Sequence, residues 1–154
     1  MIDMTVDFQG ASDSDLRVYA AALSAGAGRF GRASVMDVLV SLAHAFDGEL
    51  SRRETGAPGG IVRVPLVGVE TLSEISRIAL TGMFAGWQEQ AVRESKPSLV
   101  MIWHGVLVAL ADARDAERAR WKRIERDFRF PGAPPDDDEA GELVPPLGSE
   151  SGGL

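Results

Sequence analysis

The chain has 154 residues, a net charge of −7 and no cysteine. That length suits one domain with its own core, and the lack of thiols excludes disulfides, thiolate catalysis and cysteine-based metal sites. The charge is unevenly placed: residues 133–154 hold Asp136, Asp137, Asp138, Glu139, Glu142 and Glu150 with no Lys or Arg, leaving −1 for residues 1–132. A body so near neutrality neither mimics nucleic acid nor holds it by charge alone.

The chain opens on an acidic segment, Met1 to Phe8, without the basic region of a signal peptide. Ile2, Met4, Val6 and Phe8 alternate with Asp3, Thr5 and Asp7, which predicts a strand over 2–8 with one buried face. Ser12-Asp13-Ser14-Asp15 then offers a cap and acidic residues for a helix N-terminus. Leu16, Tyr19, Ala20 and Leu23 continue it at helical spacing, predicting a helix over 13–24.

Gly26-Ala27-Gly28-Arg29-Phe30-Gly31 has the form G-x-G-x-x-G. A phosphate cradle of that form needs a buried strand before it and an acidic residue at the end of a second strand about twenty residues on. The preceding Arg17 to Leu23 is alanine-rich and helical in spacing, and Glu49 and Glu54 both fall in a helical pattern. The stretch reads as an interhelical loop, with Gly26, Gly28 and Gly31 the candidates should it contact a nucleotide or other ligand.

Val35, Val38, Leu39, Leu42, Phe46 and Leu50 recur at three- and four-residue spacing and predict an amphipathic helix over 34–53. Gly56-Ala57-Pro58-Gly59-Gly60 breaks the chain. A strand follows over 61–67, confined to an edge by Pro65 and partnered by 2–8. Thr71-Leu72-Ser73-Glu74 resembles a capping box and starts a helix over 71–94. Its expected apolar face is Leu72, Ile75, Ile78, Ala79, Met83 and Trp87, with Gly82 and Gly86 permitting close packing on the next helix; Leu80 and Phe84 lie off that stripe, which suggests burial on two sides.

The last helix, over 98–129, organises the chain. Ser95 and Pro97 suit its start, and its first half, Leu99 to Ala111, is almost unbroken apolar sequence, expected to be buried all round. Leu99, Ile102, Trp103, Val106, Leu107 and Leu110 are its predicted core residues. The apolar run is shorter than the roughly 20 residues that span a bilayer. The second half is dense in charge, with Ala113, Ala116, Trp121, Ile124 and Phe128 leaving an apolar track. Proline, glycine and acidic residues then predict a disordered tail over 133–154. The expected fold is mainly α: a four-helix body within a single domain at 1–132, a two-stranded β element and that tail.

Little in the sequence carries catalytic chemistry. His44 and His104 are the only histidines, and neither has a second histidine at helical i,i+3 or i,i+4 spacing. His104, inside the apolar run, reads as a core residue. No serine lies in G-x-S-x-G, and the carboxylates fall at caps or in the tail. No metal, no cofactor and no enzymatic activity are expected. Arg114, Arg118, Arg120, Lys122, Arg123, Arg126 and Arg129 concentrate on the last helix. Asp112, Asp115, Glu117, Glu125 and Asp127 dilute them to +2, which suits a solvated, salt-bridged face better than a nucleic-acid surface.

The apolar supply exceeds what one small body can cover. The expected function is therefore a non-enzymatic protein–protein interaction or assembly module: an adaptor, an accessory subunit or a phage-like assembly factor. It would be soluble and cytoplasmic, without a membrane partner, and would self-associate or bind a protein through Phe84, Trp87, Trp103, Trp121, Ile124 and Phe128. The alternatives are a small nucleotide- or ligand-binding domain using Gly26 to Gly31, and a nucleic-acid-associated regulator using Arg114 to Arg129.

Overall fold

The computed structural model describes residues 2–29, 32–57 and 60–128. Four helices and one two-stranded antiparallel sheet make up the described chain, as the sequence pattern predicts. The tail over 133–154, with Gly31 and Arg129, lies outside the described residues. Contacts group the chain into two units, Met1–Ala116 and Glu117–Leu154.

Strand β1, Ile2–Asp7, pairs with β2, Ile61–Leu66, in a register that sets Ile2 opposite Leu66 and Asp7 opposite Ile61. The Phe8 amide donates to the Gly60 carbonyl at 3.0 Å. Counting back by twos from this pair, the hydrogen-bonded positions are Val6–Val62, Met4–Val64 and Ile2–Leu66, so Asp3 and Pro65 face each other at a non-hydrogen-bonded position between them. Pro65 therefore costs the ladder no bond, because its missing N–H lies on the outer edge of β2. Met4, Val6, Phe8, Val64 and Leu66 are buried on the inner face.

Helix α1, Asp13–Arg29, begins where Ser12 Oγ accepts from the Asp15 amide at 3.1 Å. It runs one turn past its expected end at 24. Leu23 and Ala27 carry the Leu16–Ala20 stripe onward into the core, and that burial offsets the propensity cost of Gly26 and Gly28, about 1 kcal/mol each. Gly26 also favours close packing: a Cβ there would lie 3.3 Å from Leu39 Cδ1. Helix α2, Ala33–Glu54, buries Val35, Val38, Leu39, Leu42, Ala43 and Phe46, the stripe its spacing predicts.

After β2 the chain turns at Gly68, whose φ of +87° suits glycine, and passes through a short 3-10 turn, Val69–Thr71. Helix α3, Glu74–Arg93, is capped by Ser73, whose Oγ accepts from the Ser76 amide at 3.2 Å. The cap is Ser73 rather than Thr71, because the Thr71 hydroxyl is engaged elsewhere. It lies 2.7 Å from Ser34 Oγ and donates to the Gly68 carbonyl at 3.1 Å.

Helix α4, Pro97–Asp127, buries Leu99, Ile102, Trp103, Val106, Ala109, Leu110 and Ala113 as one stripe, with Leu107 half-buried. The expectation that its first half is buried all round is corrected. Met101 is 64% and Val108 44% exposed, and His104 is exposed rather than a core residue. The run has an inner face and an outer one, and only the inner face packs.

Trp103 is the centre of the core. Its ring stacks near-parallel on Phe46 and on Phe84, with centroids at 5.6 Å in both cases, and meets Tyr19 at 4.9 Å and Trp87 at 5.0 Å. One side chain of α4 thus joins α1, α2 and α3. Phe8 closes the cluster edge-on against Phe46 at 5.3 Å. Offset and edge contacts of this kind add about 0.5–1.5 kcal/mol per pair beyond area burial.

A polar clamp fixes β1 and α1 to α2. Glu49 is 1% exposed and accepts from Arg52 Nη2 at 2.9 Å and from Arg53 Nε at 3.1 Å. The other Arg53 nitrogens donate to the Phe8 carbonyl at 2.9 Å, and to the Ala11 carbonyl and Asp13 Oδ1 at 2.7 Å each. The Asp13 hydrogen bond, chiefly, raises the Arg53 pKa.

Candidate interaction site

The most unusual surface is the outer face of α3, and it arises from an inversion. The sequence pattern places Ile75, Ile78 and Ala79 on the buried side. The structure buries Ser76, Arg77, Leu80, Phe84 and Ala91 instead and leaves Ile75 75%, Ile78 65% and Val92 60% exposed. Two sets of contacts hold that orientation. Leu80, Phe84 and Ala91 lie at four- and seven-residue spacing and form a sufficient inner stripe. At the start of the helix, Ser73 Oγ donates to Ser76 Oγ at 3.0 Å and accepts from Arg32 Nη1 at 3.1 Å, while Arg77 Nη2 reaches the Leu72 carbonyl at 3.3 Å. Ser76 and Arg77 are thereby bonded inside, and the two isoleucines turn out.

The exposed face is also short of charge. Between Glu74 and Glu89 the only charged residue is Arg77, which is buried. Ile75, Ile78, Ala79, Gly82, Ala85 and Gly86 are all exposed. The expectation that Gly82 and Gly86 bring α4 close is corrected: a Cβ at either would meet nothing within 4 Å. Fully burying one isoleucine side chain is worth about 1.5–3 kcal/mol, so leaving two on one charge-poor face forgoes a sizeable gain.

At the C-terminal end of α3 this face meets a shallow depression of about 330 Å³ lined by Ala91, Val92, Lys96, Pro97, Val100 and Met101. The turn there is a Schellman motif: the Ser95 amide donates to the Val92 carbonyl at 3.1 Å and the Lys96 amide to the Ala91 carbonyl at 2.9 Å. Ser95 sits at φ +54°. It closes α3 rather than capping α4, which corrects its expected role. Lys96 binds Asp15 at 2.9 Å and Glu94 at 3.0 Å. Those hydrogen bonds, Asp15 first, push its pKa up to about 12. Lys96 in turn holds the Asp15 carboxyl below its ordinary value.

The six contact residues expected from sequence fall into two groups. Phe84 and Trp103 are 0% exposed and Trp87 is half-buried against them. Phe84 and Trp103 are core residues, turned inward by the aromatic cluster, and offer a partner no open surface; Trp87 is partly accessible. Trp121, Ile124 and Phe128 are exposed on α4, at the three- and four-residue spacing of a helical seam. Sequence reasoning missed Ile75, Ile78, Val92 and Met101. Their apolarity was legible, but their direction is set by which of two competing stripes on α3 the other helices accept.

The remaining candidates do not converge. Gly26 and Gly28 lie inside α1, where the backbone amides serve the helix, so the expected glycine loop is corrected at both positions. A concavity of about 440 Å³ touches Gln9, Gly10, Glu49, Arg53 and Gly60, but its Arg53 donors are committed to the clamp. His44 borders β2 with Arg63 and Pro65, while His104 borders β1 with Asp3 and Asp112. Among the described residues no three potential metal-ligating side chains gather, and no helix is long and apolar enough to cross a membrane. Comparison with family models, curated proteins and solved structures finds no match.

Proposed function

We propose that this chain is a non-enzymatic protein–protein interaction or assembly module that self-associates through apolar helix surface. The observation that carries this reading is the charge-poor outer face of α3, where Ile75 and Ile78 stand exposed while Ser76 and Arg77 are buried. Single exposed apolar residues are ordinary on a protein surface, whereas a contiguous, uncharged run of them is the mark of a contact surface. Met101 and the depression beside Val92 extend the same surface around the α3–α4 turn. The exposed Trp121–Ile124–Phe128 track on α4 offers a second surface for a protein partner.

The test is sedimentation velocity on the full chain across about 1 to 500 μM, a range that spans weak to moderate self-association. A concentration-dependent rise from monomer to a larger species is the expected result. A single monomeric boundary throughout would overturn the self-association reading.

A further inference from the structure

The geometry points to an extended peptide of another polypeptide as a further ligand: a strand that adds to the outer edge of β2, in the groove between β2 and α2, with an acidic side chain opposite Arg63. The site lies apart from the outer face of α3 and does not depend on self-association.

The backbone carries the argument. Val62, Val64 and Leu66 turn their amides and carbonyls toward β1, so Ile61, Arg63 and Pro65 turn theirs away from it. Val67, next in that alternation, shows where the outward groups point: its amide donates to Ser41 Oγ on α2 at 3.2 Å. Among the described residues nothing accepts from the Ile61 and Arg63 amides. Those two donors and the carbonyls of Ile61, Arg63 and Pro65 form a row at strand spacing, which is complementary to an extended main chain.

The two edges of the sheet are not equivalent. The outer edge of β1 is closed by α4: the Gln9 carbonyl accepts from Ser98 Oγ at 3.0 Å, and the Thr5 carbonyl lies 4.0 Å from a Cβ built on Gly105. Beside β2 there is instead a groove of about 290 Å³, with Ser41, His44 and Ala45 of α2 on one side and Val62 to Pro65 on the other.

Side-chain chemistry narrows the ligand. An added strand alternates its side chains between the two faces of the sheet. Those on the inner face meet Val62 and Ala45, both half-buried, and suit apolar residues. The residue opposite Arg63 shares the outer face with it. Arg63 is 80% exposed, and its contact with Asp3 is long, at 3.5 Å, so a second carboxylate can share it. Among the described residues lining the groove only Arg63 and His44 are ionisable. A carboxylate is therefore the favoured cross-strand partner and a lysine the disfavoured one.

The same residues turn away the β2 of a second copy. In each antiparallel two-fold register that keeps two outward pairs, the two Arg63 side chains fall opposite or diagonal to one another. Pro65 supplies no donor to such a pairing. The edge is guarded against its own kind and open to an acidic strand.

The test is proton–nitrogen correlation NMR with amide hydrogen exchange on the full chain. Three capped hexapeptides serve as probes: Thr-Val-Glu-Val-Thr-Val, its counterpart with Lys in place of Glu, and the Glu peptide N-methylated at Glu. The Glu peptide is expected to bind with a dissociation constant on the order of 100 μM, as one short strand allows. At about ten times that concentration it should slow exchange of the Ile61 and Arg63 amides about tenfold. The Lys peptide should bind about fivefold more weakly, and Arg63→Glu, at an exposed position, should reverse the order of the two. The N-methylated peptide, which cannot donate to the Arg63 carbonyl, should not bind. Ile78→Asp should leave all of this unchanged, whatever it does to self-association.

Binding that leaves the Ile61 and Arg63 amides unprotected, or that survives N-methylation, would overturn strand addition. So would a failure of every peptide to bind at about 2 mM, or loss of binding in Ile78→Asp, which would move the ligand to α3. Protection of both amides before any peptide is added would mean that the edge is already filled, and would overturn the external ligand.

Discussion

Lys96 Nζ lies 2.9 Å from Asp15 Oδ1, a bond that ties the α3–α4 turn to the first turn of α1. Its pH dependence has a definite sign. The Asp15 pKa is lowered from 3.8 in the folded chain, so the folded state gains stability from it above the unfolded value. That gain is lost as pH falls through the lower, folded value. The Lys96 pKa is raised to about 12, so its contribution is complete below the unfolded value and is lost only as pH climbs toward 12. The pair is therefore fully effective at neutral pH and weakens in acid. Urea midpoints measured between about pH 6 and pH 2 should fall less steeply for Asp15→Asn than for the parent chain. Equal slopes would remove the pair from the acid limb.

Arg53 illustrates a half-buried charge that is fully bonded. Its guanidinium serves Glu49, Asp13 and the carbonyls of Phe8 and Ala11 at once. Removing it strands two carbonyls and takes one partner from a carboxylate that is 1% exposed. Arg52 still holds Glu49, which moderates the loss. Arg53→Met should cost about 2–4 kcal/mol by chemical denaturation. Arg53→Lys should recover little of it, since an ammonium cannot reproduce the planar fork.

The aromatic hub makes a similarly quantitative claim. Trp103 is fully buried and touches rings from three other helices. Trp103→Ala should cost about 3–5 kcal/mol and lower near-UV circular dichroism throughout. The indole N–H finds no hydrogen-bond partner among the described residues. Trp103→Phe therefore forfeits volume without orphaning an acceptor, and should cost only about 1–2 kcal/mol. Equal losses in the two variants would contradict the packing account.

The contrast between α2 and α3 shows which parts of this fold can be read from sequence. On α2 one stripe dominates, Val35 through Phe46, and the structure buries it. The strand at 2–8 likewise carries a clear period of two, and its pairing with β2 follows from there being no other strand among the described residues to pair with. On α3 two stripes compete: Leu80 and Phe84 against Ile75 and Ile78. Periodicity counts apolar residues on each but does not weigh Trp103, which reaches Phe84 from α4, or the Ser73–Ser76 and Arg32–Ser73 bonds that fix the start of the helix. The same blindness to tertiary contacts ended α1 too early at the glycines. The candidate surface was legible as an excess of apolar residues, and illegible as a location.

Ser95 carries the last prediction. It is the one non-glycine residue with positive φ among those described, at +54°, and it occupies the position of a Schellman motif where glycine is most favoured. A left-handed conformation costs an L-residue roughly 1–2 kcal/mol, while glycine adopts it freely but loses more chain entropy on folding. The hydrogen bonds of the motif come from the Ser95 and Lys96 backbone amides, so Ser95→Gly keeps both. The balance favours the variant by about 0.5–1 kcal/mol, read as a higher denaturant midpoint with an unchanged slope. Ser95→Val, β-branched at the same φ, should shift the midpoint the other way. If both variants moved it in one direction, the strain assigned to this turn would be absent.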